Sequence, residues 1–516
     1  MTHKMLKLKL KSRLKSSCFL IFLLGMTLHL SAQKTLTIDQ ALDIAEENNP
    51  QMKNSKLSFE RTQFALEAER ASLKSQFSLN LAPFGYSQDR RFDNRFSEWY
   101  TNKNLSSNST FRVVQPILFT DGVLSLVNRF GWQDNQSQIW EMIQDPNDPK
   151  NRIPMLTDRR NKAFSNRLSI QYDQPLFTYN RRKMALRQLE YDHENSGISY
   201  ALQRLRTEQS ITRQFYSVYS LQNTLAIRLE EFENAKKNFA IISDKVEAGL
   251  SAREELFQAE VNLASSESSV QQTTVSLNDA KDNLKQALGM SLSEDIVVVA
   301  SIVISPMIVD PEKAIQSGLE SRVELRQREI SMELAEMQMI QVKARNEFKG
   351  DLSLSLGITG DHQNFGNIYE NPTQSPSISI GFSIPIFDWG EKKARIKAQE
   401  RAQTIARNDY ENTKIDIELN IRSTLRSLDN IRAQILIEEK RVRNAQMTYE
   451  LNEIRYREGD LTGLQISQYQ SQLSSARTSL VREQINYKNE LLNLKILTLY
   501  DFENDKPILP VRKLNN

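Results

Sequence analysis

Hydrophobic residues recur along this chain with two different periods, each confined to its own segments. In "LSLSLGI", Leu352, Leu354, Leu356 and Ile358 alternate with Ser353, Ser355 and Gly357; in "SISIGFSI", Ile378, Ile380, Phe382 and Ile384 alternate with small or polar residues. Leu168, Ile170 and Tyr172 do the same against Ser169, Gln171 and Asp173, and "FSLNL" starts the pattern at Phe77. A period of two predicts strands at about 77–88, 167–177, 351–360 and 377–387, each with an apolar face and a small polar one. From Asp416 to Leu436 the period is helical instead: Ile417, Ile421, Leu425, Leu428, Ile431 and Ile435 advance by a mean of 3.6 residues, a narrow stripe on an otherwise polar helix. Two such helices are predicted at about 180–246 and 391–456. At ~1.5 Å per residue each spans on the order of 100 Å.

The pattern is written twice. "ALDIAEENNPQMK" at 41–53 aligns with "AIQSGLESRVELR" at 314–326, and "FSLNL" with "GDLSL", both at an offset of 273 residues. Farther along, Phe177 pairs with Phe387, and Gly249 of "EAGL" with Gly459 of "REGD", both at an offset of 210. The first copy therefore carries 63 extra residues between positions 81 and 174. The expected organisation is a first repeat at 34–290, a linker at 291–311, a second repeat at 312–502 and a tail at 503–516. Within the extra segment, about 89–166, residues 109–133 predict a hairpin turning at Thr120-Asp121-Gly122, interrupted on its apolar face by Asn128. Such a hairpin would enlarge a barrel by two strands per protomer, line its lumen or extend outside; extra wall strands are the favoured reading. The polar, proline-containing stretch 134–165 is expected to be an external loop.

Each copy has a joint where its strand hands over to its long helix, "QPLFTYN" and "IPIFDWG". Pro175 and Pro385 lack a ladder donor and are expected to end strand pairing. Phe177, Phe387 and Trp389 suit a membrane–water interface, and Asp388 suits a helix N-cap.

One period-two segment would fit a half-buried strand in a soluble sandwich. Four of them, joined to such long helices behind an export signal, favour membrane strands. That signal is read at 1–33: basic "KMLKLKLKSRLKSS", apolar "CFLIFLLGMTLHL", then "SAQ" for cleavage. The apolar run is shorter than the ~20 residues a spanning helix needs. Cys18, the only cysteine, falls within the signal, so disulfide and thiolate chemistry are not expected in the mature chain. A net charge of +3 arises from 67 basic and 64 acidic residues mixed along the chain, which leaves no nucleic-acid footprint. His193 and His362, the only histidines beyond the signal, lack metal-ligand spacing, and no nucleophile elbow or phosphate loop occurs. No enzyme, cofactor or metal is expected.

The ordered set of helix, strand pair, joint, long helix and glycine-centred tip ("KVEAGL", "RYREGDLTGLQ"), present in two copies, resembles the TolC-type outer-membrane efflux proteins. The resemblance implies a mainly α fold with membrane β: two internal repeats giving long periplasmic helices, and a trimeric β-barrel of twelve strands continued by an α-helical barrel. Independently, four strands cannot close a barrel, and an open edge in lipid leaves backbone groups unsatisfied, so a single chain is insufficient. The implied function is a passive exit duct for a tripartite efflux pump or a type I secretion system. Its implied partners are two further copies of itself, a periplasmic adaptor, an inner-membrane transporter and outer-membrane lipid. Gly249, Leu250, Gly459, Asp460 and Leu461 match the tips that meet the adaptor, although glycines also simply end helices. Acidic gate residues of the family fall at positions occupied here by Gln465 and Gln468. Glu255 and Gln258 hold the same places after the first tip, and all four also fit ordinary solvated helix positions. A second reading, a non-pore periplasmic coiled-coil adaptor or structural protein, leaves the two copies of the strand pair and aromatic joint unexplained.

Overall fold

The computed structural model describes residues 34–146, 148–302, 304, 307 and 309–508; the expected signal at 1–33 and the last eight residues of the tail lie outside the described residues. Two compact units divide the chain, and the long helices run through both.

The first unit holds residues up to Lys56, Tyr200–Arg322 and those from Asp416 onward. Strand β1 (Lys34–Leu36) leads to helix α1 (Ile38–Asn48), whose first turn is closed by a capping box. The Thr37 side chain accepts from the Gln40 amide, and the Gln40 side chain accepts from the Thr37 amide. Helix α2 is Pro50–Ser72, α3 Arg181–Glu247, α4 Arg253–Leu288, α5 Pro311–Ser321 and α6 Val323–Lys343; α7 (Glu391–Glu458) and α8 (Gly463–Thr498) complete the set. The core of this unit gathers Leu36, Ala41 and Ala45, then Ile211, Phe215 and Val218 of α3, then Leu277, Leu284 and Leu288 of α4. The expected linker is not featureless. Its Ile296–Val298 forms strand β6, parallel to β1, with Leu36 opposite Val298.

Both sequence offsets are structural equivalences. Helices α1 and α5 start at Ile38 and Pro311 and end at Asn48 and Ser321, 273 residues apart at each end. Helices α4 and α8 start at Arg253 and Gly463 and end at Leu288 and Thr498, 210 apart at each end. Most of the stripe on α7 faces inward: Ile417, Ile421, Leu428 and Ile435 are buried. The two copies pack the same site differently. Ala45 lies in the core with Ile211, whereas its counterpart Gly318 meets Ile421 so closely that an added Cβ would sit 2.4 Å from Ile421 Cδ1.

The second unit, Leu57–Ser199 and Val323–Ile415, contains one six-stranded sheet. Strands β2 (Gln76–Asp93), β3 (Glu98–Ile117), β4 (Gly122–Asp145), β5 (Asp148–Leu176), β7 (Lys349–His362) and β8 (Thr373–Ser383) pair in that order, every neighbour antiparallel. The inserted hairpin therefore joins the sheet, and its turn falls at the expected Thr120-Asp121-Gly122. The external loop expected at 134–165 is corrected: its described residues continue β4 and β5, paired from Asp134–Lys162 out to Asp145–Asp148. Their backbone groups find partners across the hairpin. Beyond Ser137 and Phe164 the ribbon makes no further ladder with β3 or β7 among the described residues, although the Gln138 side chain still accepts from the Thr101 amide at 3.2 Å. Two short strands, β9 (Tyr500–Asp501) and β10 (Lys506–Pro507), pair in the first unit, so the tail expected from 503 begins with a strand pairing.

Candidate functional site

The sheet has one apolar face that crosses all six strands in register. Leu79 of β2 lies opposite Phe111, Phe111 opposite Asn128, Asn128 opposite Leu168, and Leu168 opposite Ile358. One step along, Leu126, Ile170 and Leu356 continue it, and Leu354 faces Ile378 of β8. Phe77, Leu79, Leu81, Ile170, Leu356 and Ile378 are all exposed. An apolar face this continuous, left open to its surroundings, suits lipid. Asn128 does not break it as a bare polar group: its Nδ2 donates to Asn166 Oδ1 at 2.8 Å, and Asn166 in turn donates to the Tyr369 hydroxyl. On β7 and β8 the opposite face is small and polar, with Ser353, Ser355, Ser377 and Ser379. Among the described residues no helix is long and apolar enough to cross a membrane.

The two joints differ in a way their similar spelling hides. Pro175 does not end pairing. It remains in β5 opposite Asp351, and the ladder stops one residue later at Leu176–Gly350. At Phe177 the backbone turns to φ +58°, and its ring packs 5.2 Å from Phe348, which stacks on Phe382. Asn180 then caps α3 by accepting from the Lys183 amide at 2.8 Å. The turn of the inserted hairpin reaches the same helix start: Asp121, only 4% exposed, accepts from the Arg181 and Arg182 amides and pairs with the Arg181 guanidinium at 3.1 Å. A carboxylate at a helix N-terminus satisfies free amides and opposes the helix dipole. Its Asp-Gly turn was visible in the sequence; its reach to α3 was not.

At the second joint β8 ends at Ser383, and Pro385 lies outside the strand. The positive backbone angles here belong to Trp389 (φ +53°) and Gly390 (φ +83°). Asp388 is not the residue directly before α7. From three residues ahead of Glu391 it accepts from the Lys392 amide at 3.1 Å and the Gly390 amide at 3.0 Å. The Lys392 and Gly390 bonds hold its carboxyl below the usual carboxylate range. Phe387 and Trp389 stand edge to face, 4.7 Å apart and largely exposed.

At the helix-hairpin tips the two copies coincide. The Gly249 amide donates to Val246 O and the Leu250 amide to Lys245 O; Gly459 and Asp460 donate to Tyr456 O and Arg455 O in the same pattern. Both glycines adopt positive φ, +73° and +92°, and nothing lies within 4 Å of where a Cβ would sit. Each is a Schellman C-cap. Leu250 is 79% exposed, and Leu461 is half-buried. Gln465 serves as the capping partner of Thr462: its amide donates to Thr462 Oγ1 and its side chain accepts from the Thr462 amide. Glu255 accepts from Ser251 Oγ at 2.5 Å, Gln258 donates to Asn262 Oδ1 at 3.2 Å, and Gln468 is exposed. Sequence reading missed what ties α3 to α7 and α8 here. The Tyr456 hydroxyl donates to Asn238 Oδ1, Lys245 lies over the Tyr456 ring at 5.7 Å, and Gly463 packs so closely that a Cβ would approach Ile242 Cδ1 to 2.7 Å. Burial, and then the charge of Glu255, push the Tyr456 phenol up. The "TGLQ" spacing signals the capping box in the sequence, whereas a tyrosine 218 residues from its partner leaves no local trace.

A duplicated helical frame that carries an amphipathic antiparallel sheet with two open edges defines an outer-membrane channel of the efflux class. The model of the family described as "Outer membrane efflux protein" matches residues 147–290 and 314–498, and the chain belongs to that family. Solved structures share the fold. The Campylobacter jejuni CmeC outer membrane channel superposes with a TM-score of 0.66 at 14% identity, covering 92% of this chain and 88% of that one. The Neisseria gonorrhoeae MtrE outer membrane channel in its open state gives 0.62 at 13%, covering 91% and 90%. The Vibrio cholerae outer membrane protein VceC gives 0.60 at 14%, covering 90% and 95%. No curated protein sequence matches the chain. The family is one of channels rather than enzymes. As a member of this family, the protein functions as an exit duct resident in the outer membrane.

Proposed function

We propose that three copies of this chain assemble into one duct whose membrane wall has eighteen strands, six from each copy. The observation that carries this is the pair of open edges: in the sheet, β2 bonds only to β3 and β8 only to β7. In lipid, unpaired backbone donors and acceptors along an edge are costly enough that spanning sheets must close. Six strands are fewer than the eight of the smallest barrels. An even meander leaves β2 and β8 running in opposite directions, so β8 of one copy can pair antiparallel with β2 of the next. The twelve-stranded wall implied by the family resemblance is thereby widened through the inserted β3–β4 hairpin. The glycine tips dock a periplasmic adaptor, and through it an energised inner-membrane transporter, for drug efflux or type I secretion.

Edge pairing is tested with cysteines introduced singly along Ser78–Ala82 and Ser375–Ser379, one on each strand of the same chain. Oxidation is expected to give covalent trimers that survive boiling in detergent for one register of pairs. Exclusively intramolecular bonds, or none in any register, would falsify closure between copies.

A further inference from the structure

The polar face of the sheet is serine-rich on β7 and β8 but not on β3, β4 and β5. There Arg129 of β4 lies directly opposite Arg167 of β5, and Arg112 of β3 is one diagonal step from Arg129, because Arg112 faces Val127 and Thr110 faces Arg129. All three are exposed. Among the described residues the side chains of Arg112 and Arg129 form no hydrogen bond or ion pair, and that of Arg167 only donates to Thr359 Oγ1 at 3.2 Å. Directly opposed like charges destabilise a strand pair. The nearest acid on this face, Asp361 of β7, lies opposite Ser165, a diagonal step from Arg167, and makes no ion pair with it. Asp134, the other acid at this level of the hairpin, is on the apolar-face register and is taken by Arg160 at 2.5 Å. Two of the three arginines come from the inserted hairpin.

We propose that Arg112, Arg129 and Arg167 form an anion-selecting belt in the lumen of the barrel, favouring passage and transient binding of anionic solutes. This rests on the duct reading, in which the face opposite the lipid-facing one lines water. Within a narrow low-dielectric wall, unpaired guanidinium groups concentrate anions and repel cations. They also offer planar forks suited to phosphate and carboxylate groups.

The test uses the mature full-length protein in planar bilayers under a potassium chloride gradient. The reversal potential is expected to show chloride preferred over potassium. R112S/R129S/R167S is expected to lower that permeability ratio several-fold, and the corresponding triple glutamate variant to invert it, while Arg407→Ser on α7 leaves it unchanged. A second readout does not need an open duct. At matched ionic strength, inorganic phosphate is expected to raise the thermal midpoint of the detergent-solubilised wild type above that in chloride, and to do so less for the triple serine variant. Reversal potentials alike in wild type and variants overturn the belt. If folded, inserted protein conducts nothing, the resting duct is closed and the phosphate comparison decides: equal shifts in both proteins overturn the belt as well.

Discussion

The two copies of the repeat agree in their helices and part company in their strands. Helix starts fall at the same offsets and both tips end in the same Schellman turn. Between them the first copy builds β2 to β5, while the second is content with β7 and β8. The helical frame is constrained along its length by buried contacts such as Ile421 on Gly318, where a slip of one residue would rotate the stripe off its neighbour. A membrane wall is constrained only in having one lipid face and no free edge. It tolerates an added hairpin whose side-chain alternation matches, which β3 and β4 satisfy where Val113 lies opposite Leu126 and Leu126 opposite Ile170.

The sharpest way to break this comparison lies in the core. Phe215 is fully buried, and its counterpart 210 residues on, Leu425, is half-buried. Phe215→Ala is expected to cost about 3–5 kcal/mol, and Leu425→Ala distinctly less. Thermal unfolding in detergent would show whether the copies differ as their burial says. A smaller effect separates the joints. Asp121→Ala leaves two amides of α3 and two arginines without their carboxylate and is expected to cost about 1–3 kcal/mol. Asp121→Asn, which keeps one of the two acceptor oxygens and tolerates the positive φ, should cost less. If both variants match wild type, the inserted turn does not support the helix start. The smallest effect is one of pH. Asp388 has its carboxyl held low by the Lys392 and Gly390 amides, so its stabilisation is complete above the ordinary aspartate value, about pH 4. It is lost as pH falls through the lowered value. Across that acid window wild type should lose stability more steeply than Asp388→Asn; parallel pH profiles would show that the carboxylate contributes nothing there.

Much of this was legible in the chain because lipid and helix packing both impose a period. The four strands with one apolar face, the turn at Thr120-Asp121-Gly122 and the duplicated helices all carry such a signal. Residues 134–165 were misread because Arg160, Asn161 and Lys162 carry no apolar alternation, and what keeps them extended is the backbone ladder to β4 with the Arg160–Asp134 ion pair across it. Pro154 fits there because β5 has lost β7 and become an edge, where proline is tolerated. Strand β6 is three residues long and its partner is some 260 residues away, too short and too distant for any local pattern. Pro175 was misplaced by one residue of ladder. For the site, the tip glycines were recognisable from composition. The role of Gln465 was obscured because the same spacing serves a cap and a gate.

The meander carries a rule of parity. Each antiparallel strand reverses the direction of travel, so β2 leaves the helical side and the chain returns to it only after an even number of strands. The inserted hairpin, being a pair, delivers α3 to the side of the membrane from which α2 departed. A single added strand would have stranded all of α3 and α4 on the cell's exterior, so this wall can grow only two strands at a time.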